Sequence, residues 1–147
     1  MALDEVKREI DGATEMFQAW EQEHGIQVSP SIHLTGGEPF LYDGLWDVVA
    51  YARENGYRVA MMTNGSLITR DSAQKASSLG VSDIQVSLEG HRTLHDAIRG
   101  NGSFLRAERG VRLVVEAGNR ASANVTLSRL NADTVEETAG IAREMGC

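Results

Sequence analysis

Four short strand-like runs begin near residues 31, 57, 82 and 121, and a stretch with helical periodicity follows each of them. The steps between them are 26, 25 and 39 residues, enough for a strand, a turn and a helix. This alternation restricts the chain to an α/β fold with a parallel sheet, because a parallel neighbour is reached only through a crossover connection. Strands are read at 31–35, 57–62, 83–88 and 121–127, and helices at 3–20, 43–54, 70–79, 103–117 and 133–145.

The local signals agree with that division. Leu3, Val6, Ile10, Ala13, Phe17 and Trp20 recur at steps of three and four, which places them on one helix face. His24-Gly25 closes this helix, and Asn55-Gly56 suits a left-handed helix end. Ser103 is the expected N-cap of the fourth helix, and Thr134-x-x-Glu137 reads as a capping box for the fifth. Residues 89–102 are read as a long connection.

Composition narrows the function. The net charge is −7, and residues 1–24 carry seven acidic and two basic side chains. A protein that tracks nucleic-acid phosphates needs a basic face, so that class is excluded. Apolar residues make up 41% of the chain, and no apolar run approaches the ~20 residues of a membrane span. A soluble, cytoplasmic protein is expected, with no membrane partner. The one cysteine, Cys147, cannot by itself form a disulfide or a multi-cysteine metal site. No metal ligands are assigned within the chain.

In β-α architectures the ligand site lies at the C-terminal ends of the strands. Three strand ends here are alike: Thr35-Gly36-Gly37-Glu38-Pro39, Thr63-Asn64-Gly65-Ser66 and Ser87-Leu88-Glu89-Gly90. Each sets a hydroxyl and a second polar group beside glycine. Any one of them is ordinary turn chemistry. Three in succession on one rim point to a ligand bearing charge and hydroxyl groups. A Gly-x-x-x-x-Gly-Lys-Ser/Thr phosphate loop is absent.

In that order and spacing, the three turns resemble the radical S-adenosylmethionine (radical SAM) enzymes. Thr35-Gly36-Gly37-Glu38-Pro39 is similar to the family's GGEP motif, and Thr63-Asn64-Gly65 to the end of its third strand. Ser87-Leu88-Glu89-Gly90 followed by His95-Asp96-x-x-Arg99-Gly100-x-Gly102-Ser103-Phe104 resembles the branch that carries SPASM domains, which includes sulfatase maturases and peptide-modifying enzymes. The resemblance implies an incomplete (β/α)6 TIM-like partial barrel with about four parallel strands and helices outside. It reads residues 1–147 as one partial domain.

It also implies S-adenosylmethionine as ligand. Gly36, Gly37, Glu38 and Pro39 would hold its methionyl ammonium, with Thr35, Thr63, Asn64 and Glu89 lining the cavity. Ser87 would meet the ribose and Arg99 the carboxylate, while Val125 and Leu127 are candidates to flank the adenine. The resemblance further implies a [4Fe–4S] cluster in the full-length enzyme, a peptide or protein substrate, and flavodoxin or ferredoxin as electron donor.

The departure is the family's Cys-x3-Cys-x2-Cys loop, which does not occur in this sequence. By the resemblance, the loop and the first strand would precede residue 3, and the sixth strand would follow residue 147. The chain is therefore read as part of a radical SAM enzyme that is inactive unless joined to those segments. Two alternatives stay open: a degenerate protein that binds S-adenosylmethionine without radical chemistry, and a non-enzymatic α/β interaction module. Cys147 is read as a small apolar residue, His33 as a strand residue on the same face as Thr35, and His95-Asp96 as a local hydrogen-bonding pair rather than a catalytic dyad.

Overall fold

The structure is a computed structural model and describes residues 2–147. Helix α1 (Leu3–His24) leads into strand β1 (Ser31–Leu34), helix α2 (Leu45–Glu54), strand β2 (Arg58–Thr63) and helix α3 (Arg70–Ser78). Strand β3 (Asp83–Ser87), helices α4 (Arg92–Arg99) and α5 (Ser103–Glu116), strand β4 (Ala121–Asn124) and helix α6 (Val135–Met145) complete the order. The strands form one parallel sheet in the order β1-β2-β3-β4. Each strand pairs with its neighbour in sequence, the order of a barrel wall. A doubly wound sheet reverses direction at a switch point.

The two faces of the sheet differ because side chains alternate along a strand. Val59, Met61, Ile84 and Val86 are at most 1% exposed and join Val49, Ala52, Ala76 and Val114 from the helices in the core. The opposite face carries His33, Met62, Gln85, Ser87, Ser122 and Asn124, all exposed or half-buried. On this face Ser122 donates to Asp83 at 2.7 Å, and Gln85 donates to the other Asp83 oxygen at 3.2 Å. Among the described residues no helix lies over this polar face as the core helices lie over the other. His33 lies on this polar face, whereas Thr35, past the end of β1, lines an apolar pocket with Leu34, Leu45 and Val48, so the two do not share a face as expected.

Several local expectations are corrected. Trp20 is 47% exposed; it meets the edge of Phe17 instead of entering the core. The 89–102 connection contains a helix, α4, capped by the His91 ring, which accepts from the Leu94 amide. Ser103 is the first residue of α5 rather than its cap. The cap residue is Gly102, and the Asp96 carboxylate accepts from the Gly102 and Phe104 amides and from the Ser103 hydroxyl. A carboxylate from the preceding helix thus does the capping. The Thr134 capping box does not form, because the Thr134 hydroxyl donates backward to the Asn131 carbonyl. Strand β4 ends at Asn124, so Val125 and Leu127 lie past it. No helix among the described residues is long and apolar enough to cross a membrane.

Candidate functional site

The site is built where β1, β2 and β3 end. After β1 the chain turns through Thr35, Gly36 and Gly37, all exposed, and Gly36 takes φ +132°, a conformation that favours glycine. A side chain added at Gly37 would meet no atom within 4 Å. The turn therefore faces open space. Pro39 is buried and starts a short 3-10 turn at Pro39–Leu41, which fixes the direction in which Glu38 leaves the strand.

Glu38 is the anion of this rim, and the end of β2 holds it. The Thr63 hydroxyl donates to its Oε1 at 2.6 Å and the Asn64 amide to its Oε2 at 2.9 Å. Thr63 is 3% exposed, and its oxygen also accepts from the Gly65 amide at 3.0 Å. One hydroxyl thus closes the Thr63-Asn64-Gly65 turn and orients the carboxylate. Charge-assisted bonds of this kind are among the stronger ones in proteins. Thr35 lies beside Leu34 and Pro39 in a small apolar pocket under the turn.

At the end of β3, Ser87 is half-buried on the polar face of the sheet, opposite Asn124 of β4. Glu89, two residues on, is 2% exposed. Its Oε1 accepts from Arg99 Nε at 2.9 Å and from Arg99 Nη2. Its Oε2 accepts from the Thr126 amide at 3.1 Å and from Asn131 Nδ2 at 3.4 Å. Arg99 and Asn64 meet in one polar cavity of about 320 Å³, lined also by Ser66, His95, Ser103 and Arg106. Two arginines and no carboxylate line it, so it favours an anionic group. Val125 lines a separate groove of about 470 Å³ between β4 and α6, together with Cys147. Leu127 is 63% exposed beyond the strand.

His95 is 1% exposed, and its Nδ1 accepts from the Glu89 amide at 3.1 Å, which assigns the proton of the neutral ring to Nε2. It makes no hydrogen bond with Asp96; the two neighbours serve different elements. Burial lowers the His95 pKa below the ordinary 6.5, and the Arg99 charge adds to the effect. Asp96 is pushed below 3.8, chiefly by the Phe104 amide that donates to it. The signs follow. Below pH 6.5 the unfolded chain takes up a proton at His95 that the folded chain refuses, so stability falls as the pH drops from 6.5 towards the folded pKa. The Asp96 contribution is lost only lower, as pH falls below 3.8 through its depressed pKa. We expect the urea midpoint to fall between pH 7 and pH 5, and His95→Asn to flatten that slope. Equal slopes in the two proteins would refute the assignment to His95.

Asn131 belongs to the site although no motif marks it. Asn131 is 2% exposed; its Oδ1 accepts from the Ser128 amide at 2.7 Å, and its Nδ2 donates to the Glu89 and Thr126 carbonyls. A Ser-x-x-Asn turn is the trace it leaves in the sequence, and such turns are common.

No group of three or more His, Cys, Asp or Glu among the described residues could hold a metal ion. Cys147 is half-buried at the end of α6, where burial and then Asp83 raise its thiol pKa and keep it protonated. The residues of this chain do not fit an iron–sulfur cluster, which needs a set of thiolates.

The sequence pattern of the radical SAM superfamily matches residues 6–142. The chain is 40% identical over 104 residues to Fe-coproporphyrin III synthase of Methanosarcina barkeri (strain Fusaro / DSM 804), covering 70% of this chain and 26% of that protein. It is 35% identical over 117 residues to mycofactocin maturase MftC of Mycolicibacterium smegmatis (strain ATCC 700084 / mc(2)155), covering 78% and 30%. The chain thus spans about a quarter to a third of the length of these curated relatives. Among solved structures it is similar to native anSMEcpe with bound AdoMet, with a TM-score of 0.74 at 17% identity, covering 98% of this chain and 40% of that one. At such identity the likeness is one of fold. Because the superfamily pattern runs through all four strands and all three rim turns, the chain belongs to the radical SAM superfamily.

Proposed function

We propose that this chain is the S-adenosylmethionine-binding part of a radical SAM enzyme. The observation that carries the reading is Glu38: an anion clamped by Thr63 and Asn64 at the edge of two exposed glycines with open space above them. A zwitterionic ligand needs an anion and a cation on one rim, and Glu38 and Arg99 are that pair. Glu38 takes the methionyl ammonium, while the backbone of Gly36 and Gly37 lets the ligand approach closely. Arg99 takes the carboxylate in the cavity it shares with Asn64, and Ser87 takes the ribose. Leu127, exposed in the turn after β4, flanks the adenine, and Val125, which faces the separate groove against α6, supports that turn from behind. Solved structures of the same fold with AdoMet bound support this reading.

In the family, a [4Fe–4S] cluster supplies the electron that cleaves S-adenosylmethionine. Its ligands are not residues of this chain, which contributes the orientation of the ligand. The substrate we propose is a peptide or protein, a reading that rests on the similarity to the maturase; the heme and coproporphyrin synthases are the competing direction. Flavodoxin or ferredoxin as electron donor and a cytoplasmic location belong to the same proposal.

The test is ligand binding to this chain followed by NMR at millimolar S-adenosylmethionine. Gly37→Val adds bulk into open space, so it should abolish binding while leaving the melting temperature within about a degree of wild type, as surface substitutions usually do. A Gly37→Val chain that binds like wild type removes this turn from the site. Failure of the wild type to bind favours the interaction-module alternative.

A further inference from the structure

We propose that Glu89 is a positioning residue that sets Arg99 and the turn after β4 as one unit, so that the two ends of the ligand rim are ordered together. The inference rests on the S-adenosylmethionine reading above and deepens it. Glu89 is too enclosed to be a ligand contact: its side chain is 3% exposed, and both carboxylate oxygens accept from protein donors. What it does instead is visible in its partners. It is tied to α4 twice, through Arg99 and through the His95 ring on its amide. It is tied to the turn after β4 three times, through Thr126 on the carboxylate and Asn131 on both the carboxylate and the carbonyl.

The geometry of the arginine gives these ties a consequence. Nε and Nη2 are both committed to one Glu89 oxygen, and Nη1 has no partner among the described residues. A guanidinium is a rigid plane, so fixing one edge aims the other. Arg99 lines the cavity, where its uncommitted donors are available to an anion. An arginine held this way loses little side-chain freedom when the ligand binds, which improves affinity without any new contact. A lysine has no such edge to fix. The other Glu89 oxygen sets the backbone of Thr126, between Val125 and Leu127. The carboxylate end and the nucleoside end of the proposed ligand therefore share one buried anion. Coupling of this kind is reciprocal: what perturbs one end is felt at the other.

The test uses the ¹⁵N-labelled chain, with the Thr126 amide and the Asn131 side-chain amide as reporters. In the ligand-free protein, Arg99→Lys should shift both reporters while the β1 and β2 amides stay in place. Asn131→Ala, which leaves the Glu89–Arg99 pair intact, should shift the Arg99 Nε–H signal. In Glu89→Gln, S-adenosylmethionine should bind about tenfold more weakly with the sheet amides unchanged. If Arg99→Lys leaves both reporters unmoved, the coupling is absent and the proposal fails. If they move but Glu89→Gln binds like wild type, Glu89 serves stability alone and the positioning role is overturned. Should Glu89→Gln fail to fold, the Arg99→Lys and Asn131→Ala shifts decide, and their absence overturns the proposal. Coupled reporters in a wild-type chain that does not bind S-adenosylmethionine would instead refute the ligand reading, and with it the role of Glu89 in binding.

Discussion

Arg99→Ala is expected to destabilise the chain by about 3 kcal/mol, because it strands a buried carboxylate. Removing one partner of a buried ion pair typically costs 3–5 kcal/mol, and the lower end applies because the Arg99 side chain is 33% exposed against 3% for Glu89. The amide of Thr126 and the side chain of Asn131 still face the Glu89 carboxylate and soften the loss. The contrast is with the surface pairs. Arg112–Glu108 and Arg70–Glu116 have similar N···O distances of 2.8 and 3.0 Å, but their arginines are 54% and 66% exposed. Exposed pairs contribute about 0–1 kcal/mol, so Arg112→Ala and Arg70→Ala should barely move the urea midpoint. Adding Glu89→Gln to Arg99→Ala should recover part of the loss, since the remaining group is then neutral. Chemical unfolding of the four proteins checks this. An Arg99→Ala midpoint no lower than that of Arg112→Ala would show that Glu89 is solvated in the absence of its partner. The same substitution should lower S-adenosylmethionine affinity on the order of tenfold to a hundredfold, the value of one charge-assisted hydrogen bond.

Gly110→Ala is expected to destabilise the chain by about 2 kcal/mol and to disturb the rim from behind. Helix α5 crosses the Thr63-Asn64-Gly65 turn so closely that a Cβ at Gly110 would lie 2.6 Å from the Gly65 carbonyl oxygen and 3.2 Å from its Cα. Both obstacles are backbone. Gly65 cannot retreat, because it holds φ +77° against Val86 and Ala107. The helix must therefore shift. Overpacking of this kind costs typically 1–3 kcal/mol, and the upper end applies because a backbone oxygen 2.6 Å away cannot swing aside; the better helix propensity of alanine offsets about 1 kcal/mol of it. Gly140 in α6 is the control, since a Cβ there meets nothing within 4 Å. Gly140→Ala should stabilise by about 0.5–1 kcal/mol. The same chemical change is thus expected to have opposite signs in two helices. Stabilisation by Gly110→Ala would show that α5 does not lie against the turn. The Asn64 and Ser66 amides should shift in Gly110→Ala and stay in place in Gly140→Ala.

Much of the fold was legible in the sequence because the signals that specify it are local. A strand followed by a turn and an amphipathic helix writes its period into adjacent residues. Val59 and Met61 fall on the core face and Ala60 and Met62 on the other by alternation alone. The three rim turns were legible for the same reason: glycine, hydroxyl and carboxylate residues are needed within a few positions of each other. Helix α4 was not. Eight residues are too few to be stable as an isolated helix, and this one is held by contacts that sequence spacing does not display. His95 packs edge-on against Phe104 with centroids 5.8 Å apart, and Asp96 caps the next helix. The end of β4 was misplaced for a related reason. Residues 125–127 alternate like a strand, but the Thr126 amide is taken by Glu89 rather than by a neighbouring strand.

By itself the sequence determined the alternation of strands and helices except for α4, the parallel pairing and the family, since periodicity, turn chemistry and motif spacing are properties of residues close together in the chain. Only the tertiary structure decided which charges meet. Glu38 was equally free, on paper, to reach Arg99 or the end of β2, and the fold gave it to Thr63 and Asn64, 25 and 26 residues away. Arg99 went to Glu89, and Glu89 to Asn131, 42 residues on. Buried polar groups must find partners, but which partners lie within 3 Å is set by how the strand ends converge, and that convergence is a property of the packed sheet rather than of any segment of it.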